Sequence, residues 1–181
     1  MSNVTNVTLE NAPERQGIVT LKGNAKTLIG NSTKVGDIAP DFSALDGTFA
    51  NVSLSSFKGK VVLISVVPSL DTPVCSIQTK KFNEELSKLS SDIVAITISN
   101  DLPFAQKRFC DAEKTSRTIF LSDSYKHEFG LRYGLIVKDM GILARAVFVI
   151  GKDGRIVYQE IVSEITNEPD YSKALEALKK Q

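Results

Sequence analysis

Two cysteines, a single histidine and an arginine set in an apolar run are the residues of this chain suited to redox or nucleophilic chemistry. Cys75 closes the stretch Pro68-Ser69-Leu70-Asp71-Thr72-Pro73-Val74-Cys75. The stretch lies between a β-branched apolar run, Val61 to Val67, and a helical pattern. In that pattern Cys75, Phe82, Leu86 and Leu89 share one stripe of a 3.6-residue period. The sulfur is therefore expected in the first turn of a helix, where unpaired backbone N–H groups and the positive dipole end stabilise an anion. The thiolate, not the thiol, is the nucleophile. Thr72 can aim a hydroxyl into the same pocket. Pro68 and Pro73 stiffen the loop by fixing φ and restricting the residue before each. A lone Cys after an apolar strand can equally be a small, inert buried hydrophobe. Spacing alone leaves both readings open.

The elements that must carry this loop are legible from periodicity. Val61 to Val67 reads as a strand buried on both faces, with Ile93 to Ile98 and Ile119 to Leu121 as further strands. Phe104 to Cys110 reads as a short helix opened by Asn100-Asp101 and Pro103, and His127 to Tyr133 as a helical turn stopped by Gly134. Ala144 to Ile150 and Arg155 to Val162 form a hairpin around Gly151-Lys152-Asp153-Gly154. Tyr171, Ala174, Leu175 and Leu178 mark a last helix. Upstream, Phe42 to Leu45 is a short strand. Val4 to Leu28 reads as a leader followed by a hairpin at Gly23-Asn24. The expectation is an α/β sandwich, a mixed central sheet flanked by helices with an extra N-terminal β-hairpin. Residues 1–17 are expected as a flexible leader and residues 18–181 as a single domain.

Composition removes several classes. Lys+Arg 22 against Asp+Glu 21 leaves +1, with no basic excess to hold nucleic acid or an anionic membrane. No apolar stretch reaches the roughly 20 residues that cross a bilayer. The polar N-terminus is unlike a secretion signal, so the cytoplasm is the expected compartment. The sequons at Asn3, Asn6, Asn31 and Asn51 would carry no sugar there. Two cysteines do not make a disulfide scaffold; in a reducing compartment they are free thiols, metal ligands or a working redox pair. With one histidine and no second Cys nearby, a zinc site would need carboxylates at unsuitable spacing, so no metal or other cofactor is expected. His127 follows the polar segment Ser122 to Lys126 and reads as a helix-surface residue rather than the base of a Cys–His hydrolase. Arg145, between Ala144 and Ala146, could by residue type simply face water.

The segment from Pro68 to Cys75 matches the peroxiredoxin signature Pro-x-x-x-Thr-x-x-Cys. More narrowly it resembles the thiol peroxidase branch, the bacterial atypical two-cysteine peroxiredoxins. The likeness continues through Ser99 to Cys110, Ala144 to Val147 and Glu164 to Tyr171, and covers the chain from about Ile18 to Lys180. The resemblance implies a thioredoxin-like fold, a peroxidatic Cys75, a resolving Cys110 and a catalytic Arg145. Around the sulfur, the Thr72 hydroxyl and the Cys75 N–H would complete a cradle for the peroxide oxygens, and Pro68 would shield it from water. It also implies a hydroperoxide substrate, a Cys75 sulfenic acid, an intramolecular Cys75–Cys110 disulfide recycled by thioredoxin, a homodimer, and a place in antioxidant defence. A disulfide needs Cα atoms within roughly 4.4–6.8 Å, so local unwinding on oxidation is expected.

Leu70, Val74, Leu102 and Phe104 could, by residue type, line an apolar mouth that favours organic hydroperoxides. Two rival readings remain at this level. A thiol–disulfide oxidoreductase on the same fold would prefer Cys-x-x-Cys, but the second position is Gln78. A non-catalytic redox sensor or holdase would use the same disulfide as a switch.

Overall fold

Glycine turns and proline breaks divide the chain into strands and helices in a computed structural model that describes residues 7–115 and 117–181. Strands β1 (Glu14–Leu21) and β2 (Asn24–Ile29) form a hairpin that turns at Lys22 and Gly23, both at positive φ (50° and 78°). Strands β3 (Ser43–Leu45) and β4 (Asn51–Ser53) pair across a turn in which Asp46 Oδ1 accepts the N–H groups of Thr48 and Ala50. A 3₁₀ turn, Leu54–Phe57, leads into β5 (Val61–Val66). Then follow α1 (Pro73–Ser87), β6 (Ile93–Ser99), α2 (Pro103–Glu113), β7 (Thr118–Ser122) and α3 (Glu128–Tyr133). The chain closes with β8 (Ile136–Val137), β9 (Ala146–Ile150), β10 (Ile156–Ile161) and α4 (Tyr171–Lys179).

The central sheet is mixed, in the order β10-β9-β5-β6-β7-β3-β4, with β5, β6 and β7 parallel and the other pairings antiparallel. The N-terminal hairpin gains β8 as a third strand and forms a second, small antiparallel sheet. This is the expected thioredoxin-like sandwich. Alternation along the strands builds a core on each face. Val61 and Leu63 of β5, with Val147 and Val149 of β9, pack under Phe82 and Leu86 of α1 and under Ala174 and Leu178 of α4. Val62, Ile64 and Val66, with Phe148 and Ile150, meet Phe129, Leu131 and Tyr133 of α3.

Register fixes where function can sit. Val66 at the end of β5 lies opposite both Ile98 of β6 and Ala146, the first residue of β9. The loop leaving β5, the loop leaving β6 and the residue entering β9 thus share one edge, at the carboxyl ends of the parallel strands, where ligands of such sheets bind.

Several expected boundaries move. Strand β1 starts at Glu14, inside the segment read as a leader; residues 1–6, with the sequons at Asn3 and Asn6, lie outside the described residues. Helix α2 runs on to Glu113, and β9 opens at Ala146, leaving Arg145 just ahead of the strand. His127 is not on a helix surface. It is a half-buried residue before α3 at φ 55°, and its buried Nδ1 has no hydrogen-bond partner among the described residues. That burial lowers its pKa.

Candidate active site

Local sequence sets the position of the sulfur. Thr72 is extended (φ −98°, ψ 144°), Pro73 occupies the first helical position where its missing N–H costs nothing, and α1 begins. The N–H of Cys75 donates to Thr72 Oγ1 at 3.3 Å, an N-cap bond. The Thr72 hydroxyl has one proton and two acceptors in reach, Cys75 Sγ at 2.6 Å and the Ser69 carbonyl at 3.2 Å. The Cys75 N–H, expected to face the peroxide, is therefore engaged by the cap.

Asp101 ties the loop to the neighbouring strand. Its Oδ1 accepts from Ser69 Oγ at 2.8 Å, and its Oδ2 from the Leu70 N–H and from Ser99 Oγ, each at 2.8 Å. By sequence a start signal for α2, Asp101 instead turns back to the loop before Cys75. The N-cap of α2 is Leu102, which makes no side-chain cap bond.

Arg145 is buried, with 2% of its surface exposed, and all its bonds point inward. Its Nε donates to the Ile165 carbonyl at 2.9 Å, Nη1 to Gln78 Oε1 at 2.8 Å, and Nη2 to Cys75 Sγ at 3.4 Å. Gln78 sits one helical turn beyond Cys75 on the same inner face and passes its amide on to Ser65 Oγ at 2.8 Å. Among the described residues no carboxylate makes a salt bridge with this guanidinium, although, after the hydrogen bond from Lys81, its charge reaches Glu168 and helps lower that carboxyl's pKa. A buried charge is costly unless its donors are satisfied, and here Nε, Nη1 and Nη2 each have an acceptor. Two donors, Thr72 Oγ1 and Arg145 Nη2, converge on one sulfur that has no exposed surface.

The other predicted residues fall into two groups. Pro68 and Leu70 are buried, and Leu70 packs with Val67, Cys75 and Phe120. Cys110, half-buried on α2, packs against that same cluster beside Phe109; its Sγ lies 3.4 Å from Thr115 Oγ1. Both thiols are free and both helices intact. Val74 is half-buried, whereas Leu102 and Phe104 are exposed (59% and 70%), with Phe104 edge-on to Phe49 at 4.9 Å. By sequence Gln78 marks only the missing second cysteine, Asp101 only a helix start and Ser65 only part of a strand; taken so, none of the three points to the site. A polar residue one turn from the cysteine, on the face that must be buried, was the available signal for Gln78.

Comparison with known proteins agrees with this geometry. The family described as redoxin matches residues 34–175. A thiol peroxidase of Bacillus subtilis (strain 168) is 49% identical over 161 residues, which is 89% of this chain and 96% of that protein. One from Listeria innocua is 52% identical over 162 residues, covering 90% of this chain and 98% of its own. Among solved structures, a peroxiredoxin-like protein from Aquifex aeolicus superimposes with a TM-score of 0.85 at 40% identity, over 91% of this chain and 98% of that one.

Proposed function

This chain belongs to the redoxin family, in its thiol peroxidase branch, and on that footing we propose that it reduces hydroperoxides with Cys75 as the attacking thiolate. The observation that carries the reading is the buried Arg145 guanidinium. Its Nη2 donates to Cys75 Sγ, which sets a permanent positive charge against the sulfur that would react.

Attack is a displacement at oxygen. A sulfur–oxygen bond forms to one peroxide oxygen while the O–O bond breaks and the other oxygen leaves as an alcohol or water after taking a proton. Charge moves from sulfur onto both oxygens, so donors fixed along that axis stabilise the transition state more than the ground state. Arg145 Nη2 and Thr72 Oγ1 are those donors; Pro68 excludes water. The sulfur is covered in the closed loop, so Pro68 to Thr72 must give for peroxide to enter.

Cys110 then attacks the Cys75 sulfenic acid, expelling water and leaving a disulfide. Both cysteines share one apolar cluster, which supports the pairing. A dithiol of the thioredoxin type completes the cycle by two exchanges. Leu70 and Val74, with Leu102 following the loop-holding Asp101 and Phe104 beyond it, form an apolar mouth selective for organic hydroperoxides; equal rate constants with hydrogen peroxide would count against it. The exposed Phe49–Phe104 pair at the rim of this mouth supports a homodimer that packs beside the mouth and leaves it open. The cytoplasm, where such reductants are maintained, is the proposed compartment.

The test is peroxide-dependent NADPH oxidation coupled through thioredoxin and its reductase. Turnover with the wild type and none with Cys75→Ser supports the reading; equal activity in the two contradicts it.

A further inference from the structure

We propose that Glu164 is a positioning residue for Arg145, and that the N-terminal hairpin takes part in the reaction through it; the inference rests on the peroxidase reading above. The guanidinium is aimed by three acceptors, one of which is the backbone carbonyl of Ile165, far from the catalytic loop in sequence. The residue that bears this carbonyl is held from the hairpin side. The Ile165 N–H donates to the Thr20 carbonyl at 2.9 Å, and the Thr20 N–H to Ser163 O at 2.7 Å. Between them, Glu164 gathers five donors. Oε1 accepts from the N–H of Lys22 (2.9 Å) and from the N–H and hydroxyl of Thr166 (3.1 and 2.8 Å). Oε2 accepts from the N–H of Gly23 (3.0 Å) and from the Thr20 hydroxyl (2.8 Å).

Lys22 adopts positive φ, uncommon for a residue with a side chain, and with Gly23 it turns two successive N–H groups toward one carboxylate. The Gly23 N–H, then the hydroxyls of Thr20 and Thr166, hold that carboxyl well below the usual carboxylate range, so it is an anion throughout the working pH range. A chain of contacts thus runs from the hairpin turn to Glu164, from Glu164 to the Thr166 N–H, which shares a peptide unit with the Ile165 carbonyl, and from that carbonyl to Arg145 Nε and, through Nη2, to the sulfur. None of the donors on Glu164 belongs to the catalytic loop. Its influence on the chemistry passes through the placing of the arginine, and small misplacements of a positioning group are expensive in rate.

The experiment compares two reagents on Cys75, at a pH that ionises the sulfur in every variant. In Glu164→Ala the second-order rate with hydrogen peroxide is expected to fall about tenfold or more. Alkylation by iodoacetamide, which needs no donor along an O–O axis, should change less than about threefold. Thr20→Val removes one donor to Glu164 but keeps the backbone pairing of Thr20; it should lower the peroxide rate in the same direction, and it decides the matter if Glu164→Ala does not fold. An unchanged peroxide rate, or equal losses with both reagents, overturns the role of Glu164. A wild-type protein no faster than free cysteine would instead defeat the peroxidase reading; fast wild type with unimpaired variants defeats only this inference.

Discussion

Arg145 Nη2 stands 3.4 Å from Cys75 Sγ although 70 positions separate the two residues in the chain. The gap is closed by strand register, because Val66, which ends β5, pairs with Ala146, which begins β9. Any residue ahead of Ala146 must emerge beside the loop that follows Val66. The guanidinium then has its other two directions fixed by Gln78 and the Ile165 carbonyl, which leaves the third for the sulfur.

Removing that donor should be costly. Arg145→Ala is expected to lower the peroxide rate constant by about 10²–10³-fold, the usual effect of deleting one preorganised donor to a developing charge. Arg145→Lys keeps the charge but loses the fork, and should recover only part of it. Stopped-flow kinetics on the two variants gives the comparison.

Gln78 has two partners and no exposed surface. Gln78→Ala leaves Arg145 Nη1 and Ser65 Oγ unsatisfied in the interior, at a cost of about 1–3 kcal/mol in stability. It also frees the arginine to wander. Denaturant melts should show the first effect and peroxide kinetics a loss of roughly tenfold, smaller than for Arg145→Ala.

In the proposed scheme Cys110 offers no donor to the peroxide and enters only after Cys75 is oxidised. Cys110→Ser should therefore retain the first fast oxidation of Cys75 while losing turnover with thioredoxin, and a sulfenic acid should be trappable with dimedone. Mass spectrometry of the oxidised wild type is expected to show a Cys75–Cys110 link within one chain. Links only between chains would contradict the scheme.

Asp123 supplies a pH dependence in stability. Burial, its largest influence, raises its pKa to about 7, against the opposing N–H bonds from Gly130 and Phe129. Below about pH 4 the carboxyl is protonated in both folded and unfolded chains. Between about pH 4 and 7 only the unfolded chain ionises, so stability falls as pH rises, by an amount on the order of 3–4 kcal/mol, and then levels off. Asp123→Asn should flatten this slope in melts followed across that range.

The loop at Cys75 was legible because its geometry is local. A proline, a capping threonine and a cysteine in the first turn specify a helix start by themselves, and Thr72 caps α1 as that pattern demands. The strands declared themselves by β-branched runs. The direction of Arg145 was not local: an arginine between alanines points inward only because β9 pairs with β5 in one register, and only the family resemblance anticipated it. Asp101 departs from its local signal for a related reason. Its sequence neighbourhood suits a helix cap, but Ser69 and Leu70 on the adjacent strand's loop offer it better partners. The strand β8 has no sequence signal, because two residues carry no periodicity, and it exists only by pairing with β2.

The most direct measurement is a single-turnover reaction of the reduced protein with one equivalent of peroxide, read by Cys75 oxidation state. A rate constant orders of magnitude above that of free cysteine, abolished in Cys75→Ser and preserved in Cys110→Ser, is the predicted result. A rate equal to free cysteine's, or oxidation falling first on Cys110, would contradict the assignment of Cys75 as the nucleophile.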